Sequence, residues 1–448
     1  MNTKPLVLAA ALGLLGAAGW GGTRLLAGAS AAPPEVPSAG LAPGTGVLDR
    51  NIALIEERAR ADPYSAGNRA WLAALLLQRA RETGNPEDVL RAEAAARESI
   101  GLRAAHNRQA EAVLAASLVE QHRFAEALEV ARELAAAEPE NPSYRAMVAE
   151  IQMELGRYDD AGATFGSLEA ARHNLDVAPR LARWAEIGGR TAEARSLLYS
   201  ARTRALARPD LPREQAAWFH LRVGDLELRS GRLDRAGEAF RAGLEAHPGD
   251  YRLLASMARL MAARERWEDA ITYGEMAMAA TPDAGTFALL GDLHAAAGDA
   301  ARAGGYADAV QVSLSGEPGA LHRAEALFLL DHGRRVPEVL AMAERDLRTR
   351  RDVHGYDLLA WALHKQGRHA EASAAMASAL AQGTRDAMLF YHAGIIEKAN
   401  GNRGRARDFL ERALEVSPNF HPVHARVARE TRSCLGAGLR LPWQSACD

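Results

Sequence analysis

The side chains that could do chemistry are few and scattered. His421 and His424 stand at an H-x-x-H spacing, and His354, His364 and His392 fall on neighbouring amphipathic runs. A metal site needs three or four converging ligands, each oriented by a partner of its own. His354, His364 and Asp357 form a conceivable cluster, although 14 histidines are unremarkable in 448 residues. Asp159-Asp160 and Glu268-Asp269 sit at helix starts, where the N-terminal dipole accounts for them without catalysis. Met257, Met261, Met276 and Met278 read as packing rather than as a cofactor box. No GxGxxG follows a strand, and GxxxxGK[ST], GxSxG and HExxH are absent. The expectation is recognition rather than catalysis, with no cofactor and no metal.

Composition narrows the class. With 48% hydrophobic and 25% charged residues, wholesale disorder is excluded. The length fits two or three ordinary domains or one long repeat array. A net charge of -3 argues against a nucleic-acid binder that works by phosphate neutralisation. The only lysines are Lys4, Lys365 and Lys398, so 54 basic residues minus 3 leaves 51 arginines. Guanidinium forks suit polyanions. Interleaving with 57 acids, and the abundance of alanine, fits GC-rich codon usage better.

The ends point to export. Residues 1–31 read as a signal peptide or N-terminal anchor: Lys4, an apolar stretch from Leu6 to Trp20, then the small-x-small pattern Ala29-Ser30-Ala31. Gly13, Gly16 and Gly19 weaken a spanning helix, whereas Arg24 makes the region long for a signal. A cleaved signal and a membrane tether through residues 5–22 both stand. Residues 32–47 are a Pro/Gly/Ala linker. Residues 431–448 form a tail holding both cysteines, Cys434 and Cys447. In an oxidising compartment these would close a loop worth about 3 kcal/mol; the other reading is two unrelated thiols. The expected location is periplasmic or secreted, or inner-membrane anchored and facing the periplasm.

Between these ends, residues 48–430 are amphipathic runs cut by Gly or Pro, without strand-like alternation. Gly156, Gly189, Gly231, Gly298, Gly333, Gly367 and Gly401 align as one turn position, with His122 and Glu265 in the same slot. The spacings are 34, 33, 42, 34, 33, 35, 34 and 34 residues. Seven residues before the turn the side chain is always small, as at Ala115, Gly224 and Gly394. Five residues after it, alanine recurs in every copy except that of Glu338. Two antiparallel helices that touch at these columns need the missing side chains to approach. Nine residues after the turn stands a larger apolar group, such as Phe165, Phe240 or Leu410.

This pattern resembles the tetratricopeptide repeat, most clearly in residues 220–250 and 390–420. The resemblance implies an all-α, right-handed superhelical solenoid of about ten helix-turn-helix repeats. It also implies a concave surface lined by first helices, which binds extended peptides or helices. Projected from the register, the C-terminal lining is Arg323, His354, Trp361, His364, Lys365, Tyr391 and Lys398, a set suited to an acidic or aromatic protein or peptide. The asparagines of the chaperone-tail clamp are missing six residues before the turn. The extra eight residues between Gly189 and Gly231 predict a helix pair longer by about a turn. The functional expectation is a non-enzymatic scaffold in the bacterial cell envelope that holds a partner protein. Two alternatives stay open: a subunit of an envelope polymer-export or assembly complex, and a metal-dependent or enzyme-associated protein using the His-lined groove.

Overall fold

The computed structural model describes residues 45–313 and 323–436. The expected export segment, most of the linker and Cys447 lie outside the described residues. Among the described residues there are 22 α-helices and no strand. Helix α1 (Thr45–Ala61) precedes α2 (Ala66–Thr83) and α3 (Pro86–Leu102). The array continues with α4 (Arg108–Glu120), α5 (Phe124–Ala137), α6 (Pro142–Glu154), α7 (Tyr158–Gly166), α8 (Ala178–Ile187) and α9 (Thr191–Leu206). Next come α10 (Arg213–Arg229), α11 (Leu233–Ala246), α12 (Tyr251–Ala263), α13 (Trp267–Ala280), α14 (Ala284–Ala296) and α15 (Ala300–Ser313). After the second described stretch begins, α16 (Arg323–Asp331), α17 (Val336–Asp346), α18 (Val353–Lys365), α19 (His369–Leu380), α20 (Ala387–Ala399), α21 (Arg403–Val416) and α22 (His424–Gly436) complete it.

Local chemistry sets the boundaries. Five first helices open on side-chain caps: Asn141, Asp250, Asp283, Asp352 and Asp386 each accept an amide of the first turn. Five second helices open instead on an arginine that pairs with an acid three residues on. Examples are Arg123–Glu126 at 2.6 Å, Arg157–Asp160 at 2.7 Å and Arg190–Glu193 at 2.8 Å. Part of the arginine excess is thereby spent on helix starts. Between the two helices, the turn residue is left-handed in every aligned copy, His122 (φ 57°) and Glu265 (φ 58°) included.

The small columns are where the helices touch. Ala115, Ala149, Ala182, Ala258, Ala326 and Ala360 are fully buried, as are Ala127, Ala161, Ala194 and Ala236 opposite them. At Gly224 an added Cβ would stand 2.3 Å from the Phe240 ring, so the column seven before the turn packs under the column nine after it. The eight extra residues lengthen the two helices unequally: α10, a first helix, has 17 residues against 13 in α12, about one turn more, whereas α9, a second helix, has 16 against 14 in α13.

The pairs wind into a superhelix tight enough to touch itself. The α6/α7 turn meets the loop entering α18, six pairs further on, and the α8/α9 turn meets the loop entering α20. An added Cβ would lie 2.2 Å from the Arg351 carbonyl at Gly156 and 2.3 Å from the Gly383 carbonyl at Gly189. Helix ends leave carbonyls without intrahelical donors. Here the next superhelical turn supplies them: Thr281 donates to Thr83, Arg351 to Leu155, Thr384 to Ile187 and Asn419 to Ala263, at 2.6–3.2 Å. One apolar cluster runs through both superhelical turns, from Ala146–Leu198 to Leu327–Ala428.

Candidate partner-binding surface

First helices of successive pairs are bridged by a ladder of polar side chains. In its first half the rungs are arginine and carboxylate. Arg180 donates to Glu150 at 2.7 Å, Arg183 meets Glu154 at 2.5 Å, and both Arg222 and Arg229 reach Glu186. Burial opposes ionisation of Glu150, but Arg180 and Arg183 prevail and its pKa is lowered. At Glu154 desolvation dominates and raises the pKa, despite Arg183 and Arg350. The guanidinium groups keep an edge in water: the side chains of Arg183 and Arg229 are 40% and 44% exposed. The second superhelical turn joins this half, because Arg350 also reaches Glu154, at 3.4 Å, and the Tyr158 hydroxyl accepts from the Val353 amide at 2.8 Å.

In the second half the rungs are histidine and aspartate. Arg323 donates to Asp357 at 2.7 Å, and His392 Nδ1 lies 2.7 Å from the other oxygen of Asp357. The His392 ring stacks on Trp361, with centroids 4.2 Å apart. Trp361 Nε1 donates to Asp331 at 2.8 Å, and His424 Nε2 approaches the same carboxylate at 2.9 Å. His424 stacks on His421, which meets Asp292 at 3.3 Å together with His332. The segment 419–424 therefore folds back onto α14, α16 and α20 and fills this part of the concave face with the chain's own side chains. Burial opposes ionisation of Asp292, yet His332 and His421 hold its pKa at about 2. His421 is raised by Asp292 against the opposing effect of burial, whereas burial and its neighbour His421 lower His424.

The expected partner-binding residues separate into two groups. Trp361 and Tyr391 are 1% and 4% exposed, so they form the floor of the surface rather than its open lining. Tyr391 lies under His424 and Phe420, at 4.7 and 5.7 Å between ring centroids. The remaining five keep contact with solvent. Arg323 is 39% exposed at the side chain, with its Nε unpartnered. Burial, with Arg323 nearby, pushes the His354 pKa well down. His364 stacks on Trp361 at 4.9 Å, and burial, with His369 and Lys365, takes its pKa to about 4. The Lys365 ammonium stands 4.8 Å from the Trp361 ring centroid, and Lys398 stands in the last turn of α20.

The sequence register passed over several of the ladder's residues. Glu154, Arg229 and Asp331 stand two before the turn, and Arg222 and His392 nine before it. These columns lie on the same face as those six and thirteen before, since steps of four and seven return to one side of a helix. Charge recurring in those columns was the available signal. Among the described residues no group of three or more His, Cys, Asp or Glu is placed to hold a metal, and His354, His364 and Asp357 do not converge. No described helix is long and apolar enough to cross a membrane. Cys434, on α22, is not a free thiol.

Residues 118–184 and 221–285 each match a tetratricopeptide repeat family model. With the helix pairs and columns above, the described fold is an all-helical superhelical array of tetratricopeptide repeats. No curated protein matches the chain. Among solved structures, it is similar to PilW, described as a type IV pilus biogenesis factor: 19% identity over 48% of this chain and 96% of that one, TM-score 0.39. It is similar to pilF of Pseudomonas aeruginosa at 17% identity over 47% and 93%, TM-score 0.37. The Cut9–Hcn1 structure is 13% identical over 87% and 93%, TM-score 0.33. At these identities and scores the likenesses add nothing to the functional argument.

Proposed function

We propose that the protein is a scaffold without catalysis of its own that holds a partner protein or peptide on its concave face, in the bacterial cell envelope. The observation that carries the reading is the first-helix ladder. Its arginines are fixed by carboxylates on one side and open to solvent on the other, the arrangement that orients charged anchors before a partner arrives. Arg323, His354, His364, Lys365 and Lys398 continue that surface toward the C-terminus, over a floor of Trp361 and Tyr391. The partner carries acidic or aromatic groups to match. The envelope location rests on residues 1–31 and on a Cys434–Cys447 disulfide, which we assign to the tail on the export reading.

The test is capture from a membrane-and-periplasm extract, comparing the full chain with a Lys365→Glu/Lys398→Glu variant. Both positions reach solvent, so the variant should melt like the parent. Loss of a partner that the parent retains is the expected outcome. Identical partners on both would remove the C-terminal part of this surface from the proposal.

A further inference from the structure

A second surface lies between the second helices α9 and α11. Two cavities of about 520 and 460 Å³ open there. Both are lined by Tyr199 and Arg235, so they form one continuous trough. Its polar lining is unbalanced. Arg195, Arg202, Arg232 and Arg235 line it with the single carboxylate Glu238, while a second carboxylate, Glu227, lies buried behind Arg195.

Those two carboxylates are already engaged. Buried Glu227 accepts from Nε and Nη2 of Arg195, at 2.8 and 3.1 Å, and Glu238 holds Arg235 at 3.0 Å. Arg202 lies over the Tyr199 ring, 4.7 Å from its centroid, and no carboxylate pairs with it among the described residues. His220, from α10, lines the trough, and its Nδ1 is buried without a hydrogen-bond partner. Even with Glu245, which acts on His220 from α11, bases outnumber acids. Leu206, Ala207 and Ala239 supply apolar floor beside this charge.

We infer that this trough docks an acidic peptide segment of a partner protein, with a carboxylate on Arg202 and an apolar side chain against Tyr199 and Leu206. Charge complementarity selects that occupant: an arginine stacked on an aromatic ring, short of a carboxylate, presents a fork shaped for one. The trough is open and continuous rather than enclosed, which suits an extended chain better than a small molecule. The inference rests on the scaffold reading but names a different face and a different set of anchors.

The experiment selects random displayed peptides on the full-length protein, then measures labelled versions of those recovered. Acidic sequences with an aliphatic or aromatic residue are expected. Arg202→Glu/Arg235→Glu should weaken them by about tenfold or more with an unchanged thermal melt, while Lys365→Glu/Lys398→Glu should leave them unaffected. Four results would overturn the inference. These are no recovered binders, binders indifferent to the Arg202/Arg235 change, tighter binding of an oligonucleotide probe in the same trough, and a dimer that this change dissolves. Failure of the concave-face proposal alone would show in the Lys365/Lys398 variant and leave these readouts in place.

Discussion

The two halves of the ladder occupy equivalent positions on equivalent helices but use different chemistry. Between Glu150 and Arg229 the rungs pair arginine with carboxylate, and guanidinium edges remain in water. Between Asp292 and His424 most rungs pair histidine with aspartate, and the chain's own residues 419–424 close over Asp292, Asp331 and Tyr391, leaving Arg323, Lys365 and Lys398 in water along the edge. One backbone geometry thus carries a surface that stays open and one that is sealed. The open half can receive a partner without rearrangement. The sealed half fastens the second superhelical turn and changes its charge in the range where histidine titrates.

The largest expected effect lies in the sealed half. Trp361 joins His392 on one face to Asp331 at its indole nitrogen. Trp361→Ala should cost about 3–5 kcal/mol, read as a lower midpoint in denaturant unfolding. A cost under about 1 kcal/mol, the range of an exposed side chain, would mean the sealed half is as open as the other.

The next effect compares the turn glycines. At Gly156 a Cβ meets the Arg351 carbonyl at 2.2 Å, whereas at Gly367 it meets nothing within 4 Å. Both have positive φ. Gly367→Ala should therefore cost only the conformational penalty, about 1 kcal/mol, and Gly156→Ala on the order of 3 kcal/mol. Equal melting temperatures for the two variants would show that the superhelical turns do not press on one another.

Much of this was legible beforehand because it is periodic. The turn slot, the small columns and the longer pair near residue 200 all follow from spacing, and His122 and Glu265 were placed in the turn despite lacking glycine's freedom. What spacing did not carry is the winding of the array. Whether Trp361 lines an open groove or lies under His424 depends on how many pairs complete a superhelical turn. That number comes from small rotations at each helix interface rather than from any residue type. The Arg350–Glu154 and Thr384–Ile187 contacts, 196 and 197 residues apart, have no sequence signature. The H-x-x-H spacing of His421 and His424 was visible, but their carboxylate partners lie 129 and 93 residues away.

The pH response should divide along the same line. His364, His354 and His424 have lowered values in the fold, so the folded chain binds fewer protons than the unfolded chain below about pH 6.5. Their contribution is present above that pH and is lost as pH falls, for His364 down to about 4. His421 runs the other way: its value is raised, so its contribution is complete below about pH 6.5 and is lost as pH rises through the folded value. Asp292 holds its contribution until pH falls from the ordinary carboxylate range toward about 2. With three groups against one, amide protection factors, the intrinsic rate at each pH divided out, should fall in α18 and α22 between pH 7 and 4, ahead of α6 and α8. A uniform fall in protection along the array would erase the distinction between the halves.

The smallest effect tests the turn alone. Glu265 holds φ at 58° in the slot that glycine fills elsewhere, a conformation costing an L-residue roughly 1–2 kcal/mol. Its partner, Arg429, is 3.8 Å away and both side chains are exposed, so little is lost with the pair. Glycine also gives the unfolded chain more freedom, which offsets part of the relief by about 0.4–1 kcal/mol. Glu265→Gly should therefore stabilise the chain by about 1 kcal/mol or less, seen as a small rise in the unfolding midpoint. A fall instead would mean that the Glu265–Arg429 pair helps hold α22 against the α12/α13 turn, and that the seal extends to that turn.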